Sequence, residues 1–223
     1  MEEYDTQKRL LIDNSRLVIN MKKVLYTLFI LCLVAFSMPL LLAIGVIVAI
    51  TTGFPIIFRQ KRIGKNGKIF TMYKFRTMVK NAEVLQKKYA SMNEAHGPVF
   101  KLYNDPRYTR FGKFLAHTGL DELPQLYNVL AGDMALFGPR PLPVAEEKKL
   151  EAWQKKRKHI KPGIFSPWIL EGYHATSFDA WMKSDIAYIK NKSFWYDTQL
   201  FIRMIAYMGS LIGHVIIDDI IYL

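Results

Sequence analysis

The chain has 223 residues, with 31 Lys plus Arg against 19 Asp plus Glu and a formal charge of +12. That length allows one catalytic domain of ordinary size, or a smaller one plus a membrane element, and excludes two large domains. Fourteen Phe, 12 Tyr and 4 Trp argue against intrinsic disorder, and a single cysteine, Cys32, excludes a disulfide scaffold. The five histidines, His96, His117, His159, His174 and His214, have no paired metal-ligand spacing, which speaks against a zinc site.

Residues 1–23 carry five basic and four acidic side chains around Leu10, Leu11, Ile12, Leu17, Val18 and Ile19, the pattern of a short juxtamembrane helix. Residues 24–58 then run for 35 positions without one Asp, Glu, Lys or Arg. That is too long for the apolar part of a signal peptide and too apolar for an ordinary core helix. Ser37-Met38-Pro39 interrupts the run near its middle. Each half, 24–36 and 40–52, would be about 20 Å long as helix against a hydrocarbon core of about 30 Å, so neither spans alone. Together they make either one kinked span or a re-entrant hairpin broken at Ser37 and Pro39. Lys22 and Lys23 precede the run, and Arg59, Lys61, Arg62, Lys65 and Lys68 follow it, so both flanks are basic and favour the hairpin.

Residues 59–223 are expected to form one cytoplasmic domain, α+β and mostly helical. Residues 55–60 and Ile69–Phe75 read as two strands around the turn Gly64-Lys65-Asn66-Gly67. Residues 79–94 read as helix, ended by Gly97-Pro98, and Asn104-Asp105-Pro106 as a turn. Thr118, with Asp121 three residues on, has the form of a capping box opening a helix to Leu130 with Pro124 in its first turn. A basic helix is expected over 143–159. Near the end, Leu200, Met204, Met208, Leu211 and Val215 mark an apolar face of helical period, the sign of an amphipathic helix at a membrane interface.

Three constellations could do chemistry. Asp121 and Glu122 stand side by side at the expected helix start, which would keep a carboxylate ionised for attack or for a hard divalent cation. Arg140 lies between Pro139 and Pro141, which fix φ on either side of a side chain suited to phosphate. Lys74 and Arg76 are two apart and would share a strand face. Taken singly, each is as readily a helix cap, a turn or a solvated face.

In order along the chain they resemble one family. Thr118-Gly119-Leu120-Asp121-Glu122-Leu123-Pro124-Gln125-Leu126, Gly132-Asp133-Met134 and Gly138-Pro139-Arg140-Pro141-Leu142 are similar to the signature of the bacterial sugar transferases, the monotopic phosphoglycosyl transferases. Phe58-Arg59-Gln60-Lys61-Arg62-Ile63-Gly64, Tyr73-Lys74-Phe75-Arg76-Thr77-Met78, Gly97-Pro98-Val99-Phe100-Lys101 and Lys161-Pro162-Gly163-Ile164 support it, and the likeness runs from about residue 20 to about residue 205. The chain departs from the family pattern at Met38, Ala116, His117, Gly119 and the stretch Phe165-Ser166-Pro167-Trp168-Ile169.

The resemblance implies a re-entrant membrane helix, an active site on the cytoplasmic face of the bacterial plasma membrane, and the minimal form of the family. It implies transfer of a sugar-1-phosphate from a UDP-sugar to undecaprenyl phosphate with release of UMP, the step that initiates a surface polysaccharide or glycoconjugate. Asp121 would be the nucleophile, forming an aspartyl-phosphosugar and holding Mg2+, with Glu122 beside it. Arg140, Lys74 and Arg76 would meet phosphate, and Asp185 and Asp197 match further family acids. Membrane lipid is an implied partner, a homo-oligomer is compatible with the likeness, and nucleic acid is not implied. The competing reading is a non-catalytic membrane-surface protein whose basic helices bind anionic lipid or a partner.

Overall fold

Helix α1, Glu2–Thr51, carries the apolar run and has Pro39 inside it. The computed structural model describes residues 2–221 apart from 96, 103 and 171–176, and for residues 2–16, 19, 22 and 212–221 the backbone alone. His96 and His174 therefore lie outside the described residues. Where the sequence suggests two helices and a break, the backbone runs as one helix through Pro39. A proline removes one amide donor, while the helical residues on either side keep their own hydrogen bonds. Ser37 Oγ also donates to the Val34 carbonyl at 3.0 Å, inside the turn before the proline. The stretch Lys23–Thr51 is long and apolar enough to cross a membrane, about 43 Å at 1.5 Å per residue.

The chain divides into two compact units, residues 1–40 and residues 41–223. The second begins with the last turns of α1, followed by β1, Ile57–Ile63, and β2, Ile69–Phe75. These strands pair antiparallel, with Ile57 opposite Phe75 and Ile63 opposite Ile69. The expected hairpin is present, its first strand shifted toward the turn. Helix α2, Ala82–Lys88, occupies the middle of the expected 79–94 helix.

Helix α3, Arg110–Thr118, starts at Thr109, whose hydroxyl accepts from the Gly112 amide at 3.0 Å. The Thr118 capping box does not form. Thr118 is the last residue of α3, and its hydroxyl donates backward to the carbonyls of Phe114 at 2.8 Å and Leu115 at 3.3 Å. Gly119 then adopts φ +73, the left-handed conformation that ends a helix and that glycine takes without a Cβ penalty. A 3₁₀ turn, Leu120–Glu122, follows, and α4 opens only at Gln125–Leu130, behind Pro124.

Strand β3, Ala135–Phe137, pairs in parallel with β4, Gly163–Phe165. The basic helix expected over 143–159 is instead a short α5, Val144–Glu147, and a 3₁₀ turn, Gln154–His159. Glu147, Gln154 and Arg157 of that segment are buried, so it packs through polar contacts as well as apolar ones and does not present one solvated basic face. Helices α6, Pro167–Leu170, α7, Phe178–Asn191, and α8, Phe194–Ile221, complete the unit.

Three apolar clusters are found among its described residues. Ile44 and Val48 of α1 meet Phe75 and Leu115, with Leu120 and Leu123 packed against them, so the turn bearing Asp121 is seated on α1, β2 and α3. Leu142, Leu150, Trp168, Phe178, Trp181 and Met182 form the second. Tyr188, Leu200 and Met204 form the third, binding the start of α8 to α7. The α+β, mostly helical class expected from the sequence is the one observed.

Candidate active site

Asp121 and Glu122 lie in a turn fixed from three directions. Leu120 and Leu123 anchor it in the apolar cluster, and Gly119 sets its entry from α3. Its exit is fixed by Asn128 of α4, which is buried and completes the open side of β2. The Asn128 side chain accepts from the Tyr73 amide at 3.2 Å and donates to the Thr71 carbonyl at 2.7 Å, as a neighbouring strand would. Since Lys74 follows Tyr73 directly, this pairing sets the strand bearing Lys74 against the turn bearing Asp121.

The result is a cluster of two carboxylates and two cations. Lys74 Nζ lies 3.6 Å from Asp121 Oδ2, and Arg140 Nη2 lies 2.6 Å from Glu122 Oε1. Asp121 is only 4% exposed. Burial pushes its carboxyl up to about 6, against the pull of Lys74, and the neighbouring Glu122 charge adds to the rise. A capping aspartate at a helix start would have been held ionised; enclosure in the apolar turn produces the opposite shift. Arg140 is raised from its ordinary value, chiefly by Glu122.

More groups face Arg140 than the motifs alone identify. Arg62 of β1 is lowered to about 10 by burial and then by the Arg140 charge, which outweighs the attraction of Glu146. Lys101 is lowered to about 7 by burial and then by Arg140, which outweighs Glu94. Tyr108 is pushed up to about 12 by burial and then by Asp121. Arg62 and Lys101 sit in stretches that carry the family likeness, yet nothing in their spacing distinguishes them from surface cations.

The other site residues expected from the sequence lie elsewhere. Arg76 Nη1 donates to the Phe54 carbonyl at 2.8 Å and its Nε to the Met78 carbonyl at 3.1 Å, so it ties the loop after α1 to the end of β2. Asp185 is fully buried and takes the Arg157 guanidinium at 2.6 Å. Asp197 accepts from the Tyr188 hydroxyl at 2.6 Å, a link between α7 and α8. Ser37 and Pro39 belong to the first compact unit.

Arg140 is held by the close approach of two glycines. A Cβ on Gly163 would fall 2.1 Å from the Gly138 amide nitrogen, so the chain leaving β3 can pass this close to the first residue of β4 only with glycine there. A cation would find its donors in Asp121 and Glu122: hard oxygens, with Asp121 partnered by Lys74 beyond ideal hydrogen-bond length. Magnesium takes one or two such carboxylates and completes its shell with water and substrate phosphate, so this donor set fits it. Among the described residues no group of three or more His, Cys, Asp or Glu converges.

The family model for bacterial sugar transferases matches residues 17–210. The chain is 47% identical over 149 residues to a galactosyl transferase, CpsE, of Streptococcus agalactiae serotype III (strain NEM316), covering 66% of this chain and 33% of that protein. It is 41% identical over 158 residues to the undecaprenyl-phosphate galactose phosphotransferase of Salmonella typhimurium, covering 68% and 33%. It is 36% identical over 178 residues to an uncharacterized sugar transferase, EpsL, of Bacillus subtilis, covering 78% of each. The chain thus spans about a third of the length of the first two relatives. With the Asp121–Glu122 turn and the Pro-flanked Arg140 brought together inside the matched region, the chain belongs to the bacterial sugar transferase family.

Proposed function

We propose that this protein transfers a sugar-1-phosphate from a UDP-sugar to undecaprenyl phosphate at the cytoplasmic face of the bacterial plasma membrane. The observation that carries this reading is the buried Asp121 beside Lys74, with the Glu122–Arg140 pair adjoining it. In the first step an Asp121 carboxylate oxygen attacks the sugar-linked phosphorus. A bond forms from Asp121 oxygen to phosphorus, the bond from that phosphorus to the bridging oxygen breaks, and UMP leaves with the electron pair. In the second step a phosphate oxygen of the lipid attacks the same phosphorus. The bond to Asp121 breaks, which regenerates the carboxylate and yields the sugar-diphospho lipid.

Each neighbour has a role that follows from its charge. An anionic nucleophile approaching a diphosphate needs positive charge around it, and Lys74 and Arg140 supply it from fixed positions. Glu122 orients Arg140 and faces the incoming lipid phosphate. Asp121, with Glu122 beside it, would hold magnesium, which when bound neutralises charge on the donor diphosphate. Asp121 must be ionised to attack, so turnover is expected to rise with pH through about 6. The Salmonella typhimurium relative, whose name gives undecaprenyl phosphate, supports the acceptor.

The apolar segment fits a re-entrant anchor, entering and leaving by the cytoplasmic face around Pro39, because both of its flanks are basic. Exposed Phe194 and Trp195 at the start of α8 fit the level of the lipid headgroups.

The test is UMP release by the full chain in lipid nanodiscs with magnesium, undecaprenyl phosphate and a panel of UDP-sugars. Wild type should release UMP with at least one donor, and Asp121→Asn should lower the rate by at least about a thousandfold, as expected for loss of a covalent nucleophile. A variant as active as wild type would remove Asp121 from the chemistry. A wild type inert with every donor would favour the lipid-binding reading.

A further inference from the structure

We infer that Arg62 and Arg157 are positioning residues that grip the backbone on either side of Arg140 and aim its guanidinium at phosphate. The inference rests on the phosphate role proposed for Arg140 and deepens it. Four successive carbonyls of the Arg140 loop each accept one hydrogen bond. The Pro139 carbonyl takes the Gly163 amide at 3.0 Å, and the Leu142 carbonyl takes the Ile63 amide at 3.1 Å. Between them, the Arg140 carbonyl takes Arg157 Nη2 at 2.5 Å and the Pro141 carbonyl takes Arg62 Nη1 at 2.8 Å. Pro139 and Pro141 have no amide hydrogen to offer, which removes two of the loop's own donors, and its carbonyls are met by groups from outside the loop.

The two outer carbonyls are bound by backbone and the two inner ones by guanidinium groups. Arg157 is itself immobilised. Its Nε and Nη2 reach Asp185 Oδ2 at 2.9 and 2.6 Å, and its guanidinium lies over the Trp181 ring, 5.9 Å from the centroid. This gives Asp185 an influence on the site without contact with it: it fixes Arg157, which fixes the Arg140 backbone. Arg62 acts from β1. It draws the Pro141 carbonyl toward β1, while its positive charge repels the Arg140 guanidinium and Glu122 attracts that guanidinium at 2.6 Å. Backbone pull and side-chain push together direct Arg140 toward the Asp121–Glu122 turn. A lysine at 157 would lose the Nε bond to Asp185 and the planar fork that fixes the direction of the remaining donors, so its single ammonium would hold the Arg140 carbonyl less rigidly.

UDP is the probe, since its affinity reads phosphate recognition without knowledge of the donor sugar. Titration calorimetry on the full chain in nanodiscs would compare wild type, Arg140→Ala, Arg62→Gln, Arg157→Lys and the two double variants that include Arg140→Ala, with thermal unfolding measured alongside. Loss of one charge-assisted contact predicts about tenfold weaker UDP binding for Arg140→Ala. Arg62→Gln and Arg157→Lys should each weaken binding by about threefold to tenfold, as part of the same contact. Each double variant should bind no more weakly than Arg140→Ala alone, whereas any loss of thermal stability in Arg157→Lys should persist in its double variant. That split separates positioning from general support of the fold. Affinities unchanged in both single variants, or losses that multiply in the doubles, would overturn the clamp. If Arg157→Lys does not fold, Arg62→Gln decides the matter. Unchanged affinity in Arg140→Ala would remove Arg140 from phosphate binding, and a wild type that does not bind UDP would remove the donor; either takes the clamp with it.

Discussion

Asp121 combines burial, a cation and a neighbouring acid, and the combination has a consequence for stability. Its folded-state value of about 6 lies above the ordinary 3.9 or so of an unfolded aspartate, so the folded protein holds this proton more tightly. Below about pH 4 both states are protonated and the folded form has the full benefit of a neutral buried carboxyl. As pH rises through about 6 that benefit is lost, and above it the ionised group costs about 2–3 kcal/mol. Asparagine stays neutral throughout. Asp121→Asn should therefore unfold several degrees above wild type at pH 8, and the gap should close progressively as pH falls from about 6 to below 4. A variant less stable than wild type at pH 8 would mean that the Lys74 pairing outweighs the cost of burial. The expected pattern, lost turnover with gained stability, marks a residue kept for chemistry.

The motif residues also show how far sequence reaches at this scale. Asp121, Glu122, Arg140 and Lys74 were readable as a group because the family likeness ties them together. Arg76 follows the same strand spacing, yet its guanidinium goes to the Phe54 and Met78 carbonyls, since β2 ends at Phe75 and alternation no longer sets its direction. Arg157 was hidden in a run of basic residues, Lys155 to Lys158, that reads as a solvated face. Its burial depends on Asp185, 28 positions away, and no local pattern records that pairing.

Among the elements, the hairpin and the helix that carries Leu200 and Met204 were readable because period-2 and period-3.6 patterns need only local sequence. The region around Asp121 was not. A threonine three residues before an acid fits a helix start, and it equally fits a helix end followed by glycine; the left-handed Gly119 decides for the second. What then holds α4 against β2 is Asn128, whose amide replaces a strand neighbour. Asn128→Ala would leave the Tyr73 amide and the Thr71 carbonyl without their partner and open space beside them. Two such losses in a buried setting predict a cost of about 2–4 kcal/mol. The same change should slow turnover more than it weakens UDP binding, because it frees the Asp121 turn and leaves the Arg140 loop on β3 and β4. Chemical denaturation and steady-state kinetics on the one variant would read both effects. Unaltered stability would show that apolar packing of Leu120 and Leu123 alone seats the turn.

For the whole molecule, charge and anchor are two sides of one arrangement. Residues 24–58 have no charged side chain, so the net +12 is carried by the flanks and the second unit. Basic flanks on both sides of one apolar segment favour the proposed re-entrant anchor over a full crossing, which would place one cluster on the non-cytoplasmic side. The helix itself is long enough for either arrangement, and helical backbone through Pro39 permits a kink as well as a straight course. Single cysteines near residues 10 and 65, in a chain with Cys32 replaced by serine, separate the two. In sealed, inside-out membrane vesicles an impermeant maleimide should label both positions, and in right-side-out spheroplasts neither. Labelling of one position from each side would establish a span, and would put the residues before α1's apolar stretch across the membrane from Asp121. Labelling of both positions from one side would support the proposed re-entrant anchor, in which both basic clusters lie beside the anionic lipid that attracts them.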